Sequence, residues 1–250
     1  MEGTNTLLYC FCIINKNQSA DTSLKSLSGG RVYCVPYKDL YAVVGEADKE
    51  RYEPVLETLR GHNTIINHYF KDNTVLPMKF STVCLGEKQV IDILQKYYPQ
   101  FQKMMCELEN KAEMGIKAFC DVKKLVEQSS CNETINFTGK SEAQEYMLRK
   151  YHSYKWKNAA IEPVKRMLRE MNEQLKTLSI KCRFNKMNND NIMLNSAYLI
   201  EKDKIEAFGE IVDMYRIKNH ELVLVVSGPW APYNFVSIRK EVDGDESGAY

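Results

Sequence analysis

Met114–Val122 (MGIKAFCDV) decides how the second half of this chain is read. Ile116, Ala118 and Cys120 fall on one side of a period-two pattern, and Lys117, Phe119 and Asp121 on the other, which predicts a strand with one face buried. Downstream, Ser141 and Gln144 form an S-x-x-Q capping box, in which two side chains satisfy orphan amide donors at a helix start. The apolar positions then run Met147, Tyr151, Tyr154, Ile161, Val164, Leu168, Met171, Leu175 and Leu178 in steps of three and four, with Asn158 out of register. Pro163 falls inside this run, predicting one kinked helix or two helices that meet there. A seam of this kind fits an intramolecular helix pair or a dimeric coiled coil, and it is shorter than a committed zipper with e/g pairing.

Beyond that helix, Ile180–Met187 and Ile192–Glu201 are strand candidates around the turn-rich Asn188–Asn191. Asp203–His220 is amphipathic helix, and Glu221–Val226 (ELVLVV) is a buried strand. The order from Met114 is therefore β-α-β-β-α-β, the ferredoxin-like order.

Upstream, Leu7–Asn15 (LLYCFCIIN) is a strong strand, and Gln18–Gly30 a serine-rich loop. Arg31–Val35 and Leu40–Val44 make a hairpin or short meander. Glu50–Phe70 reads as helix, with Tyr52, Val55, Leu56, Leu59, Ile65, Ile66 and Tyr69 in its stripe and Pro54 in its first turn. Over Thr74–Leu85 the reading is an irregular entry at Val75–Pro77 and a strand from Met78, because Pro77 cannot sit inside a central ladder. A helix starts near Glu87 and kinks or restarts at Pro99. The fold class is α+β, with small, mostly antiparallel sheets and helices on one face. Two domains are expected, at 1–112 and 113–238, the second ferredoxin-like with a long helix. An acidic flexible tail is expected at 239–250.

Composition narrows the function classes. With 250 residues, 44% hydrophobic and 27% charged, the chain is globular, and its net charge of +1 supplies no global field for nucleic acid or anionic lipid. The apolar run Leu7–Ile14 lacks the basic flank and length of a signal peptide, and no stretch approaches a spanning helix. A cytoplasmic location without membrane insertion is the expectation. The eight cysteines contain no C-x-x-C pair and no cysteine–histidine cluster with zinc spacing, so they are read as structural thiols in a reducing compartment. No phosphate-binding, nucleophile-elbow or zincin motif occurs, and no RNA-recognition motif either. The four histidines are scattered over predicted helices and their ends. Lys79 and Lys117, each within a predicted strand, are read as surface or cross-strand charges. No catalytic residue, metal ligand or cofactor-binding residue is assigned.

Two segments remain conspicuous. One is Val75–Val83 (VLPMKFSTV), containing Leu76, Pro77, Lys79, Phe80 and Thr82. The other is Gly228–Phe235 (GPWAPYNF), in which Pro229 and Pro232 stiffen the backbone and Gly228 permits a positive φ. Trp230, Tyr233 and Phe235 are thereby presented in a defined order. Together the two resemble the signatures of the gas vesicle protein F/L family, a V-L-P-x-R-F-G-T-like strand in the first half and a G-P-W-P-P-Y-x-F-like segment after the last strand. The passage Leu108–Asp121 resembles the family's transition from helix to strand, and the resemblance spans about residues 7–238. Lys79 stands where the family usually has arginine, Ser81 where it has glycine, and Ala231 replaces a proline. Lysine keeps the charge and loses the bidentate fork.

The resemblance implies a non-enzymatic accessory protein of gas vesicle assembly, without a cofactor and associated with vesicles. Its implied partners are the hydrophobic shell protein and other accessory proteins of the cluster. On this reading it acts as chaperone, nucleator or minor wall component. Trp230 and Tyr233 then either lock the two domains together or anchor a partner. Two other classes are carried alongside: an enzyme using Lys79, Lys117 or His62, and a ferredoxin-like regulator binding a small ligand or nucleic acid.

Overall fold

In the computed structural model the described residues are 6–16, 23–129, 138–139, 141–187, 189, 191–218 and 222–237. The expected acidic tail at 239–250 lies outside them, as do His220 and Glu221. The chain divides into two compact units, one formed by the chain up to Ala112 together with the residues from Trp230 onward, the other by Glu113–Pro229. Trp230, the last residue of the final strand, is thus the boundary residue, and residues 231–237 belong with the first unit.

The first unit is organised around β1 (Leu7–Ile14), whose residues from Leu8 to Ile14 are all buried. Such continuous burial requires apolar side chains at both parities, as LLYCFCII provides. On one side lies β3 (Leu40–Glu46), followed by β2 (Val32–Tyr37), both pairs antiparallel. The β2–β3 hairpin closes through Lys38 and Asp39, with Lys38 at φ +54°. Pro36 is tolerated because β2 is the terminal strand of the order β2-β3-β1-β4.

The other side of β1 is shared. β4 (Val75–Pro77) pairs with Cys12–Ile14, and β5 (Val83–Leu85) pairs with Leu7–Tyr9. This reverses the expectation for Thr74–Leu85: the ordered strand includes Pro77, and the chain leaves the ladder over 78–82. Pro77 ends a short terminal strand, where a missing N–H removes no interior ladder bond. Ser81 takes φ +64°, which no continuous strand permits. α1 (Leu56–Phe70) starts later than the stripe suggested, with Val55 and Leu56 exposed and Ile65, Ile66, Tyr69 and Phe70 buried. α2 (Gly86–Lys96) and α3 (Tyr98–Leu108) meet at Tyr97, Pro99 occupying the first turn of α3 as a restart demands.

The second unit runs β6 (Lys111–Cys120), α4 (Val122–Ser129), α5 (Glu142–Leu178), β7 (Ser179–Phe184), β8 (Ile192–Glu201), α6 (Ile205–Lys218) and β9 (Leu222–Trp230). Its sheet order is β7-β8-β6-β9. The alternation of β6 appears as read, with Ile116, Ala118 and Cys120 buried and Lys117 exposed. Both halves of the Ser141–Gln144 capping box are present. α5 is a single helix of 37 residues that carries Pro163 internally, so the two-helix alternative does not apply. Val164, Leu168, Met171 and Leu175 pack with Ile116, Leu194, Tyr198, Phe208, Val212 and Leu224. Met147, Tyr151 and Tyr154 continue the same seam toward the N-terminus of α5 yet are exposed. Within the core, Tyr198 donates its hydroxyl proton to Asn172 Oδ1 at 2.7 Å, so the buried amide oxygen is satisfied.

Candidate functional site: the two motifs and the histidine between them

Leu76 and Pro77 are buried against Ile13 and Cys12, so they hold β4 in the sheet and present nothing to a partner. After them the chain turns. The Lys79 carbonyl accepts the Thr82 hydroxyl at 2.6 Å and the Thr82 N–H at 3.2 Å, a local side-chain closure that sharpens the turn. Lys79 itself is exposed and belongs to this turn, not to a strand. Ser81, at positive φ, occupies the position where the resemblance places glycine, the residue that adopts such a conformation at least cost. Its amide donates to the Tyr9 hydroxyl at 2.8 Å, and its own hydroxyl accepts the Tyr52 N–H at 2.8 Å.

Tyr9 also lies 3.0 Å from His62 Nδ1. Because its oxygen already accepts from Ser81, the phenol proton is directed to Nδ1, which places the imidazole proton on Nε2. Nε2 is buried without a hydrogen-bond partner. Burial pushes the His62 pKa down to about 4 and that of Tyr9 up to about 12, so both are neutral near pH 7. The rings of Phe80 and Tyr233 lie 5.5 and 6.3 Å from the His62 ring, and Phe80 also meets Tyr9 edge-on at 6.3 Å. Tyr233 donates its hydroxyl proton to Asn63 Oδ1 at 2.8 Å. Phe80 from the first motif and Tyr233 from the second therefore meet on α1, with His62 between them. The sequence offers His62 only as a candidate of the enzyme alternative, with no histidine spacing that suggests a ligand pair and no sign of its place beside Phe80 and Tyr233.

The rest of the second motif divides by burial. Gly228 has φ +118°, and a Cβ there would fall 2.7 Å from the Glu113 carbonyl oxygen and 2.9 Å from Met114 Sδ. Only glycine fits. The Gly228–Pro229 peptide is cis and Pro229 is exposed. Ala231 and Pro232 are buried, Ala231 at 0% exposure, while Trp230 retains 39%. Tyr233–Phe235 forms a single 3₁₀ turn that leaves Phe235 half-buried. Lys117 is exposed on β6. Among the described residues no group of three or more His, Cys, Asp or Glu side chains is arranged to hold a metal ion, and no helix is long and apolar enough to cross a membrane.

The chain comprises two α+β units, a class for which relatives exist. The model of the gas vesicle synthesis protein GvpL/GvpF family matches residues 7–237, and the chain belongs to that family. It is 24% identical over 245 residues to gas vesicle protein F1 of Halobacterium salinarum, covering 96% of this chain and 98% of that protein. With gas vesicle protein L of a Streptomyces species it shares 21% over 214 residues, 83% of this chain and 79% of the relative. The crystal structure of GvpF from Anabaena superposes with a TM-score of 0.80 at 20% identity, covering 96% of this chain and 100% of the other. That of GvpF from Microcystis aeruginosa gives 0.74 at 18%, covering 93% and 100%. These likenesses establish the fold.

Proposed function

We propose that this protein is a non-enzymatic assembly factor that binds the hydrophobic shell subunit of the gas vesicle during wall growth. A shell subunit before assembly exposes apolar surface and strand edges that aggregate readily. The observation that carries the reading is β9, which is the terminal strand of its sheet and shows apolar side chains outward: Val223 is 60% exposed and Val225 46%. A terminal strand with outward valines suits addition of an apolar strand, the backbone supplying affinity and alternate side chains the selectivity. Trp230, the last residue of β9, is a further candidate anchor, since partly exposed tryptophans are prominent among binding hot spots.

Co-expression with the shell protein followed by affinity purification tests the proposal. The shell protein is expected to be retained by the wild type and lost from Val225→Lys and from Trp230→Ala, each with an unchanged melting temperature. Absence of any association with the wild type, together with normal vesicles in cells lacking the gene, would end it.

A further inference from the structure

Eight cysteines occur in the chain, and Cys10 and Cys84 touch. Leu8 pairs with Cys84 across β1 and β5, and side chains two apart along a strand share a face, so Cys10 and Cys84 are diagonal neighbours on one face of the sheet. The Cys10 thiol donates to Cys84 Sγ at a sulfur–sulfur distance of 3.4 Å. Both residues are buried, at 4% and 2% exposure. We propose that Cys10 and Cys84 are a dithiol switch: a hydroperoxide converts them to a disulfide that staples β5, and with it the turn of the first motif, onto β1.

The geometry supports this beyond mere proximity. Bond formation needs the sulfurs to approach to about 2.05 Å, a closure of little more than an ångström. β5 has only three residues and follows directly on the irregular 78–82 segment, so it is the partner that can give. Cys10 and Cys12 also line a small cavity with Met78, Val90 and Leu94, of about 10 Å³, room for roughly one water-sized molecule. Accepting a hydrogen bond from the Cys10 thiol lowers the Cys84 pKa and raises that of Cys10, so Cys84 is the member of the pair that loses its proton more readily.

Chemically, the Cys84 thiolate attacks one oxygen of the hydroperoxide, the O–O bond breaks, and the leaving oxygen departs as water or alcohol after taking a proton. Cys84 is then a sulfenic acid. Cys10 Sγ attacks the Cys84 sulfur, forming the S–S bond and releasing hydroxide, which takes the Cys10 proton and leaves as water. Two thiols are oxidised and one peroxide is reduced. A small-molecule dithiol reverses the reaction by exchange.

The effect on the fold is local. Cys10 lies next to Tyr9, whose hydroxyl holds the Ser81 amide, and the Cys10 N–H donates to the Thr82 carbonyl at 2.8 Å. A covalent tie two residues beyond Thr82 therefore restrains the segment that carries Phe80, while the reduced pair leaves it held by hydrogen bonds and packing alone.

The test uses the full-length reduced protein treated with hydrogen peroxide, then alkylated under denaturing conditions and analysed by intact mass and peptide mapping. Expected is a product lighter by two hydrogens, with two fewer alkylatable thiols and a cross-linked peptide pair containing Cys10 and Cys84, all reversed by dithiothreitol. The solvent-exposed Cys106 reports that oxidant was active. Oxidation of Cys106 with no Cys10–Cys84 peptide in the wild type overturns the proposal, and this readout does not depend on any variant folding. Cys84→Ser is expected to leave the Cys10 peptide unlinked. Hydrogen exchange over Met78–Thr82 is expected to slow in the oxidised form, and equal exchange in both forms overturns the switch.

Discussion

Tyr9 and His62, separated by 53 residues in the chain, share a buried hydrogen bond of 3.0 Å that orders the surroundings of both family motifs. The tyrosine oxygen takes the Ser81 amide, and the histidine ring lies between Phe80 and Tyr233. A histidine held this way has its unprotonated Nδ1 facing a hydroxyl and its Nε2 in apolar surroundings, so the neutral form is favoured strongly.

Acid should therefore unfold the first unit through His62. Its folded pKa is depressed, to about 4 from 6.5, so the unfolded chain binds the proton more readily between those values. The stabilisation is fully present above pH 6.5 and is lost as pH falls toward 4, amounting to about 3 kcal/mol by linkage. Urea unfolding at pH 7 and at stepwise lower pH measures this. The His62→Gln protein should lose stability less steeply over the same range, and parallel curves for the two proteins would refute the assignment.

Replacing Tyr9 by phenylalanine removes one oxygen and strands two groups, the Ser81 N–H and His62 Nδ1. Each buried group left unsatisfied costs about 1–3 kcal/mol, so a loss of roughly 2–6 kcal/mol is expected from chemical denaturation. The same change should raise the His62 pKa little, since burial is its cause. NMR titration of the ring protons checks that.

At Ser81 two effects oppose each other. Glycine would relieve a left-handed backbone that costs other residues about 1–2 kcal/mol. It would also remove the acceptor for the Tyr52 N–H, worth a similar amount when buried. Ser81→Gly is expected within about 1 kcal/mol of the wild type. Ser81→Val, β-branched and without an acceptor, should lose at least about 2 kcal/mol. Thermal melts of the two variants side by side distinguish them.

How far the sequence reached depends on whether a pattern is local. The face of β6 was legible because one side of the strand is buried and alternation records it. The helix start at Ser141 was legible because a capping box is closed within four residues. The 78–82 break was not, since a positive φ at serine leaves no signature of its own. Only the family's glycine at that position hinted at it. The seam of α5 read the same from Met147 to Leu178, yet its first turns are exposed and its later ones buried, because periodicity names a face and not what covers it. The Tyr9–His62–Tyr233 grouping joins residues from both ends of the chain, and no spacing rule reaches that far. The family resemblance found Phe80 and Tyr233, while the position of His62 between them is visible only in the structure.

Gly228 supplies the sharpest test of the second motif. Its φ of +118° lies where side-chain-bearing residues are strained, and a methyl group would meet the Glu113 carbonyl oxygen at 2.7 Å, a backbone atom that cannot swing aside. Two separate penalties act together, backbone strain of about 1–3 kcal/mol and an overpacking cost of similar size. Gly228→Ala should therefore lose about 3 kcal/mol or more in urea unfolding, with the largest rise in hydrogen exchange at Glu113–Met114 and along β9. Ser227→Ala, at the exposed position beside it, should cost far less. Equal losses for the two would mean that the glycine is not required for the close approach to β6.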